Sequence, residues 1–510
     1  MNILSNKTKF LENENILICG LLLLYLFIWL ISNNAFAYHR DEMWYTMYSV
    51  FFTDKTTNDI RHIIQNDIHQ IAFLPAFRHI HGFFVNLFGQ NIYSLRAINI
   101  FFALVALFLT LKTMKEYKIR FVYLLLFILL MSFENQIIIS SHKARPDFSM
   151  SMLSLSSIIL ILDFLKSKGL IKLFNSAIFA VLASSFYWNG LAVLVAYGIM
   201  IIILLTLKKI LFKEFLYLSI FSIVFFILIV GLPIFQKFEL FKEVFTNQAA
   251  LESADPFNVL NIFLMFKNSI TGGMYQLLIA IVFIIIIYSI TLNFFNRKTK
   301  ADSIFYILVF ISMILIISSL RASSSRHLYT FLPLIYLALI FSINNISKDL
   351  KKNKLILLIV VGIILLLNIG KSLINFKQNY GQVQAYNLYA DKINSITNDE
   401  GYVLARYNMA WAINNPKFYI SNFSFKTFKN QNDFNELISN YNLKYLLIDE
   451  TTRERMDVPT KGKKWHSFFK KYVEDNFELK EIFYNKFYIK NKLHRPLYQD
   501  GYKNEIWIRR

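Results

Sequence analysis

The stretch ILICGLLLLYLFIWLISNNAFA, residues 16 to 37, runs directly into YHRDEMWY, residues 38 to 45. As a helix, the first stretch is long enough to cross the roughly 30 Å hydrocarbon layer of a bilayer, and it holds no charged side chain. The second turns abruptly polar and places Arg40, Asp41 and Glu42 just past its end. A membrane helix that delivers two adjacent carboxylates to a wet boundary therefore frames the reading of the whole chain. Ala35-Phe36-Ala37 has the small-x-small pattern of a signal-peptidase site. However, the polar start carries only Lys7 and Lys9 before Glu12 and Glu14, and the apolar run exceeds a signal core, so a retained helix is expected.

Similar apolar runs recur along the chain. With the first, they fall at Tyr93 to Leu111, Phe121 to Ser140, Phe148 to Leu165, Leu173 to Tyr187, Leu191 to Leu207 and Phe215 to Phe235. They continue at Tyr275 to Phe295, Ile304 to Leu320, Leu328 to Ile343 and Leu355 to Leu373, giving about eleven spans. Over 510 residues, 55% are hydrophobic and 17% charged, a balance that an ordinary soluble protein of this length does not have. The net charge of +21 sits largely in short basic connections such as Lys112, Lys115, Lys118 and Arg120, or Lys208, Lys209 and Lys213. By the positive-inside rule these are cytoplasmic, which puts the amino terminus inside and everything after the last span outside. The charge thus reflects membrane topology, and nucleic acid is excluded as a partner. Cys19, the single cysteine, lies in the first run, so an exported domain folds without disulfides. Ile71 to Phe88 is apolar too, but Arg78, His79 and His81 in its middle make it an amphipathic helix at the interface.

The expected fold is mainly α: a polytopic membrane region over residues 1–374, followed over 375–510 by a small α/β domain on the outer side. Its outer loops span 38–92 and 236–274. In the second region, Gly401 to Arg406 and Lys444 to Asp449 have the pattern of buried strands, with a further strand or hairpin from Phe477 to Ile489. Phe434, Leu437, Ile438 and Tyr441 between them have helical spacing.

Three polar clusters fall on the outer side. Asp41 and Glu42 sit where a carboxylate can take a proton from a hydroxyl, a role worth about 10² to 10⁴ in rate; the alternative is that Asp41 caps an interfacial helix. His142-Lys143-Ala144-Arg145-Pro146-Asp147 breaks a helix at Pro146, and Lys143 and Arg145 there suit a phosphate. The alternative for these two is snorkelling to the interface. Arg321, Arg326 and His327 add cations on the same face. Carboxylates and cations converging on one side suit a reaction between an anionic lipid phosphate and a neutral hydroxyl. A transporter or flippase would instead place charges deep within the spans and show related halves. A non-catalytic scaffold would leave the convergence of Asp41, Arg145 and Arg326 as coincidence.

Together these residues resemble the GT-C membrane glycosyltransferases, in the bacterial branch of aminoarabinose transferases and RgtA/B/C/D-like enzymes related to protein O-mannosyltransferases. Asp41 to Tyr45 is similar to the family's Asp-Glu motif and Ala144 to Asp147 to its second; Arg326, Tyr329 and Pro333 are similar to its third. His69 through Pro75 and on to Arg96 resembles the juxtamembrane helix, although the family's His-Pro-Pro run is absent. The resemblance implies inverting transfer of a sugar from a polyprenyl phosphate to a hydroxyl of an envelope glycan, lipid or protein, outside a bacterial cytoplasmic membrane. It implies Asp41 as general base, Glu42 and Asp147 orienting the acceptor or a loop, and Arg145, Lys143, Arg326 and Arg321 on the donor phosphate. Trp44, Tyr45, His69 and Arg78 would line the donor or acceptor loop. No cofactor is required; a divalent ion would look to Glu252 and Asp255, whose alternative is a role as solvated loop charges.

Overall fold

The computed structural model describes residues 14–33, 75–89, 91–187, 190–235, 238, 281–282, 284–288, 332–349, 354–379, 382–397, 401–405, 419–421, 432, 435, 443–457, 464–485 and 502–510. Backbone contacts divide the chain into two units. One holds Met1–Ile31, Ala72–Ile80 and Arg96–Ile374; the other holds Ser32–Ile71, His81–Leu95 and Asn375–Arg510.

The first unit is helical. Its helices are α1 (Glu14–Asn33), α2 (Pro75–Phe88, shared with the second unit), α3 (Ile92–Glu116), α4 (Phe121–Phe133), α5 (Asn135–Ser141), α6 (Pro146–Ser167), α7 (Leu170–Phe186), α8 (Gly190–Thr206) and α9 (Phe212–Phe226). A π-helical turn, Ile227–Gly231, and the short α10 (Leu232–Phe235) extend α9; α11 (Leu332–Asp349) and α12 (Lys354–Asn379) follow among the described residues. The proposed spans at Tyr275 to Phe295 and Ile304 to Leu320 lie mostly or wholly outside the described residues. Among the described residues, α1, α3, α6 and the α9 segment are long and apolar enough to cross a membrane, and α4 with α5 would form a fifth, broken span. Leu23 and Phe27 on α1 and Ile220, Ile223 and Leu228 on the α9 segment are exposed, as lipid-facing side chains are.

α6 is the central helix of this unit, with its apolar window buried throughout. Ser149, Ser151, Ser154, Ser156 and Ser157 are all buried on it; side chains this small let neighbouring helices approach. Three of their hydroxyls bond to backbone carbonyls. Ser154 donates to Met150 O (2.8 Å) and Ser156 to Met152 O (2.9 Å), while Ser157 and Ser176 of α7 each donate to the other's backbone carbonyl. The turn from α7 to α8 is equally close. A Cβ on Gly190 would stand 2.0 Å from Ala183 O and 2.7 Å from Ser184 N, both backbone atoms that cannot rotate away. Gly190→Ala is therefore expected to destabilise the protein by roughly 1–3 kcal/mol. A thermal midpoint in detergent equal to that of the wild type would contradict this close approach.

Two features depart from the sequence pattern. The proposed span Phe121 to Ser140 is broken: α4 ends at Phe133, the axis turns by 63°, and α5 begins at Asn135. The physical cause is Glu134, whose carboxylate accepts from Ile137 N at 2.7 Å and so caps a new helix, while Ser372 of α12 donates to the Phe133 carbonyl at 2.6 Å. Charges also occur within the spans, since Arg96, Glu134 and Asp163 are all buried. Asp163 is paired with Lys172, and Arg96 lies one turn into α3, so each sits near a helix end or a break. At the basic connections, Lys118, Lys168 and Lys208 adopt left-handed backbone (φ 56°, 61° and 53°) just past α3, α6 and α8. That conformation costs about 1–2 kcal/mol for a side chain other than glycine, and a cation at a helix C-terminus offsets about 0.3–1 kcal/mol of it.

The second unit contains a five-stranded sheet. Its strands are β1 (Tyr402–Ala405), β2 (Tyr419–Ser421), β3 (Leu443–Asp449), β4 (Phe477–Asn485) and β5 (Tyr502–Arg509), in the order β2-β1-β3-β5-β4. β1 pairs in parallel with β2 and β3, with Leu404 opposite Ile420 and Leu446; β5 is antiparallel to β3 and β4. Helices α13 (Gln382–Ile396), α14 (Glu450–Asp457) and α15 (Lys464–Asn476) accompany it, and Met456, Phe469 and Val473 pack with Leu404, Leu446, Ile448 and Phe477 as its core. Asp449, buried at the end of β3, caps α14 by accepting from Thr452 N at 2.7 Å. Phe434, Leu437, Ile438 and Tyr441, which carry the helical spacing noted above, lie outside the described residues.

The amphipathic helix expected near Ile71 to Phe88 is α2, with Phe77 and Val85 buried and Phe83, Leu87 and Phe88 exposed. After it, Asn91 caps α3 by accepting from Tyr93 N and Ser94 N, both at 3.0 Å. His81 is fully buried with Nε2 2.8 Å from Leu95 O, and burial pushes its pKa down to about 4, against the smaller upward effect of that contact. The folded state thus holds His81 neutral while the unfolded state takes a proton below about pH 6.5. Its stabilising contribution is complete above that pH and is lost as pH falls from about 6.5 towards 4. His81→Gln, which keeps a donor but does not titrate, is expected to lose less thermal stability than the wild type between pH 7 and 5. Identical losses in the two proteins would remove His81 as the cause.

Candidate active site

Proline opens the described part of the site. Pro146 occupies the first turn of α6, where its missing N–H costs nothing, and Arg145 before it is extended (φ −117°, ψ 145°), as a residue preceding proline must be. Asp147 follows in the same turn, where the positive end of the helix dipole favours a carboxylate. Its side chain is fully buried and grips the Arg145 guanidinium through two contacts: Nη2 to Oδ2 at 2.9 Å and Nε to Oδ1 at 3.3 Å. Two parallel contacts of this kind fix the plane of the guanidinium as well as its position. The Arg145 side chain keeps 14% of its surface exposed.

The turn that carries this pair is held from three directions. Asn99 of α3 directs its amide Nδ2 at the carbonyls of Lys143, Ser141 (3.3 Å) and Ser140 (3.5 Å), and its Oδ1 accepts from the Ser149 hydroxyl at 2.7 Å. His142, which ends α5, stacks on Trp29 of α1 with ring centroids 5.3 Å apart. Its Nε2 lies 3.1 Å from Trp29 O and its Nδ1 lies 2.5 Å from Ile138 O. Burial pushes the His142 pKa down to about 3, and the Arg96 charge adds to the effect. Glu134 sets the direction of α5 and hence the position of the carbonyls that Asn99 binds. An oriented guanidinium beside a helix N-terminus is chemically an anion-binding arrangement.

Of the residues singled out in the sequence, Lys143, Arg145 and Asp147 come together on this turn. Arg78 lies on α2, half-buried, and burial lowers its pKa. Asp41, Glu42, Trp44, Tyr45, His69, Glu252, Asp255, Arg321 and Arg326 lie outside the described residues. Among the described residues, no group of three or more His, Cys, Asp or Glu side chains could hold a metal. Sequence reading passed over Asn99 and Glu134, and a signal was present: polar residues inside apolar runs are costly in lipid and mark function or packing.

No family model and no curated protein matches the chain. Its structure does match that of ArnT from Cupriavidus metallidurans bound to undecaprenyl phosphate. The TM-score is 0.59 at 11% identity, over 87% of this chain and 94% of that one. The chain has the GT-C fold. A second match is to the archaeal oligosaccharyltransferase AglB from Archaeoglobus fulgidus, in complex with an inhibitory peptide and a dolichol-phosphate. Here the TM-score is 0.50 at 11% identity, over 91% of this chain and 73% of that one. At this identity the likeness is one of architecture: a mainly α, multi-pass GT-C fold with a small α/β region near the carboxy terminus.

Proposed function

We propose that this protein is a membrane glycosyltransferase that moves a sugar from a polyprenyl-phosphate donor to a hydroxyl of an envelope glycan, lipid or protein. The observation that carries the reading is the extent of the likeness to a structure holding undecaprenyl phosphate, 87% of this chain in one alignment. AglB, which was captured with a dolichol-phosphate, points to the same chemical class of lipid. The Arg145–Asp147 fork supports it, because a guanidinium in fixed orientation suits a phosphate leaving group.

In the proposed reaction the acceptor oxygen attacks the anomeric carbon as the carbon–oxygen bond to phosphate breaks. The acceptor proton passes to Asp41, and the polyprenyl phosphate departs with the electron pair, inverting the anomeric centre. Arg145, Lys143, Arg326 and Arg321 are assigned to the donor phosphate. Glu42 is assigned to the acceptor, and Asp147 acts through Arg145. Residues 1–374 form the transferase region, and residues 375–510 form an outward domain that recognises the acceptor. The amino terminus is cytoplasmic, and the reaction takes place on the outer face of a bacterial cytoplasmic membrane.

The test is transfer of radiolabelled sugar in membranes charged with polyprenyl-phosphate sugars. Label appearing in lipid, glycan or protein only when this chain is present is the expected result. Donor consumption unchanged by the chain, across such a donor panel, would overturn the reading.

A further inference from the structure

We infer that Asn99 is a positioning residue for the donor-phosphate cation: it presets Arg145 by fastening the 140–145 turn to the start of α6. This rests on the phosphate-binding reading of Arg145 given above. The inference starts from a problem of backbone chemistry. α5 ends at Ser141, Pro146 brings no N–H, and the turn between them is largely buried; Lys143 N donates to Ser140 O (3.2 Å) and Arg145 N to Lys143 O (2.6 Å), but the Ser141 carbonyl and the remaining lone pairs of the other two need donors from elsewhere. Asn99 supplies them. It is fully buried in α3, and its two amide hydrogens face three carbonyls, those of Ser140, Ser141 and Lys143. On its other side, Oδ1 accepts from Ser149, one helical turn past Arg145.

A single planar side chain thus holds both ends of the segment bearing Arg145. Asp147 fixes the guanidinium from within α6, and Asn99 fixes the backbone from which that guanidinium extends. Moving either anchor tilts the fork. A shift of about 1 Å in a group that orients a reactant is enough to cost roughly 10²-fold in rate. A purely structural Asn99 would satisfy the same carbonyls, and removing it would weaken the whole fold without regard to Arg145.

The two roles separate in a double-mutant cycle read by binding of undecaprenyl phosphate to the purified full-length protein. Asn99→Asp keeps the shape and the Ser149 contact but turns an acceptor towards three carbonyls. Arg145→Gln keeps a donor for Asp147 but removes the guanidinium. Asn99→Asp alone is expected to weaken binding about tenfold, and in the Arg145→Gln background it is expected to change binding by less than about twofold. Equal losses in both backgrounds would overturn the inference and leave Asn99 a structural residue. If Asn99→Asp proves too unstable to purify, Ser149→Ala, which removes only the Oδ1 anchor, is carried through the same cycle and judged by the same non-additivity. Failure of the wild type to bind undecaprenyl phosphate at all would overturn the phosphate reading of Arg145, and this inference with it.

Discussion

Asp41→Asn is expected to lower sugar transfer at least about 10²-fold while leaving the affinity for the polyprenyl-phosphate donor close to that of the wild type. Asparagine matches aspartate in size and still accepts a hydrogen bond through its amide oxygen, but it cannot take the proton that the acceptor hydroxyl must lose. An interaction made only as the transition state forms lowers kcat and kcat/KM together; one that merely holds a substrate raises KM. The assay compares the two proteins at matched membrane insertion, with the amount of folded protein confirmed for each. Equal rates would remove Asp41 as base and transfer that role to Glu42, the adjacent carboxylate. The contrast with helix capping is also sharp. Asparagine caps helices as well as aspartate does, so a capping Asp41 would tolerate the change.

The membrane architecture was readable because hydrophobic length is a local property. The run from Leu173 to Tyr187 became α7 and that from Leu191 to Leu207 became α8, each with ends within a few residues of the structure. What escaped depended on contacts distant in sequence. Glu134, Asn135 and Gln136 form a short polar break between apolar residues, but a polar break by itself does not give the 63° turn. The turn depends on Glu134 capping the new helix and on Ser372, far along the chain, binding the Phe133 carbonyl. Likewise β1, β3 and β4 have apolar patterns, whereas β5, with Lys503, Asn504 and Glu505, gains its identity only from pairing with β3 and β4. In the site, Arg145 and Asp147 stood out as charges beside a proline. Asn99 did not, since one asparagine in a long apolar run shows nothing of the three carbonyls it faces.

Arg145→Ala is expected to be the most damaging single change within the described part of the site. It leaves the Asp147 carboxylate fully buried without the cation that grips it through both oxygens. Removing one partner of a buried pair typically costs about 3–5 kcal/mol, mostly through the charge left behind. The α6 N-terminus offsets only part of this, about 0.3–1 kcal/mol. Asp147→Asn should cost less than Arg145→Ala, because the asparagine oxygen still accepts from the guanidinium and Arg145 retains some exposure to solvent. The double variant Arg145→Ala/Asp147→Ala removes the stranded charge and should recover much of the lost stability. Arg145→Lys keeps the charge but not the planar fork, so stability is expected to return further than undecaprenyl-phosphate binding. Thermal unfolding in detergent read beside phosphate-lipid binding separates these effects: stability follows the pairing of Asp147, and binding follows the guanidinium. If Arg145→Ala were as stable as the wild type, the buried pair would not be holding the turn. If Arg145→Lys bound the lipid as tightly as arginine does, the phosphate would need only a charge there, and the fixed plane that Asp147 imposes would have no part in recognising it.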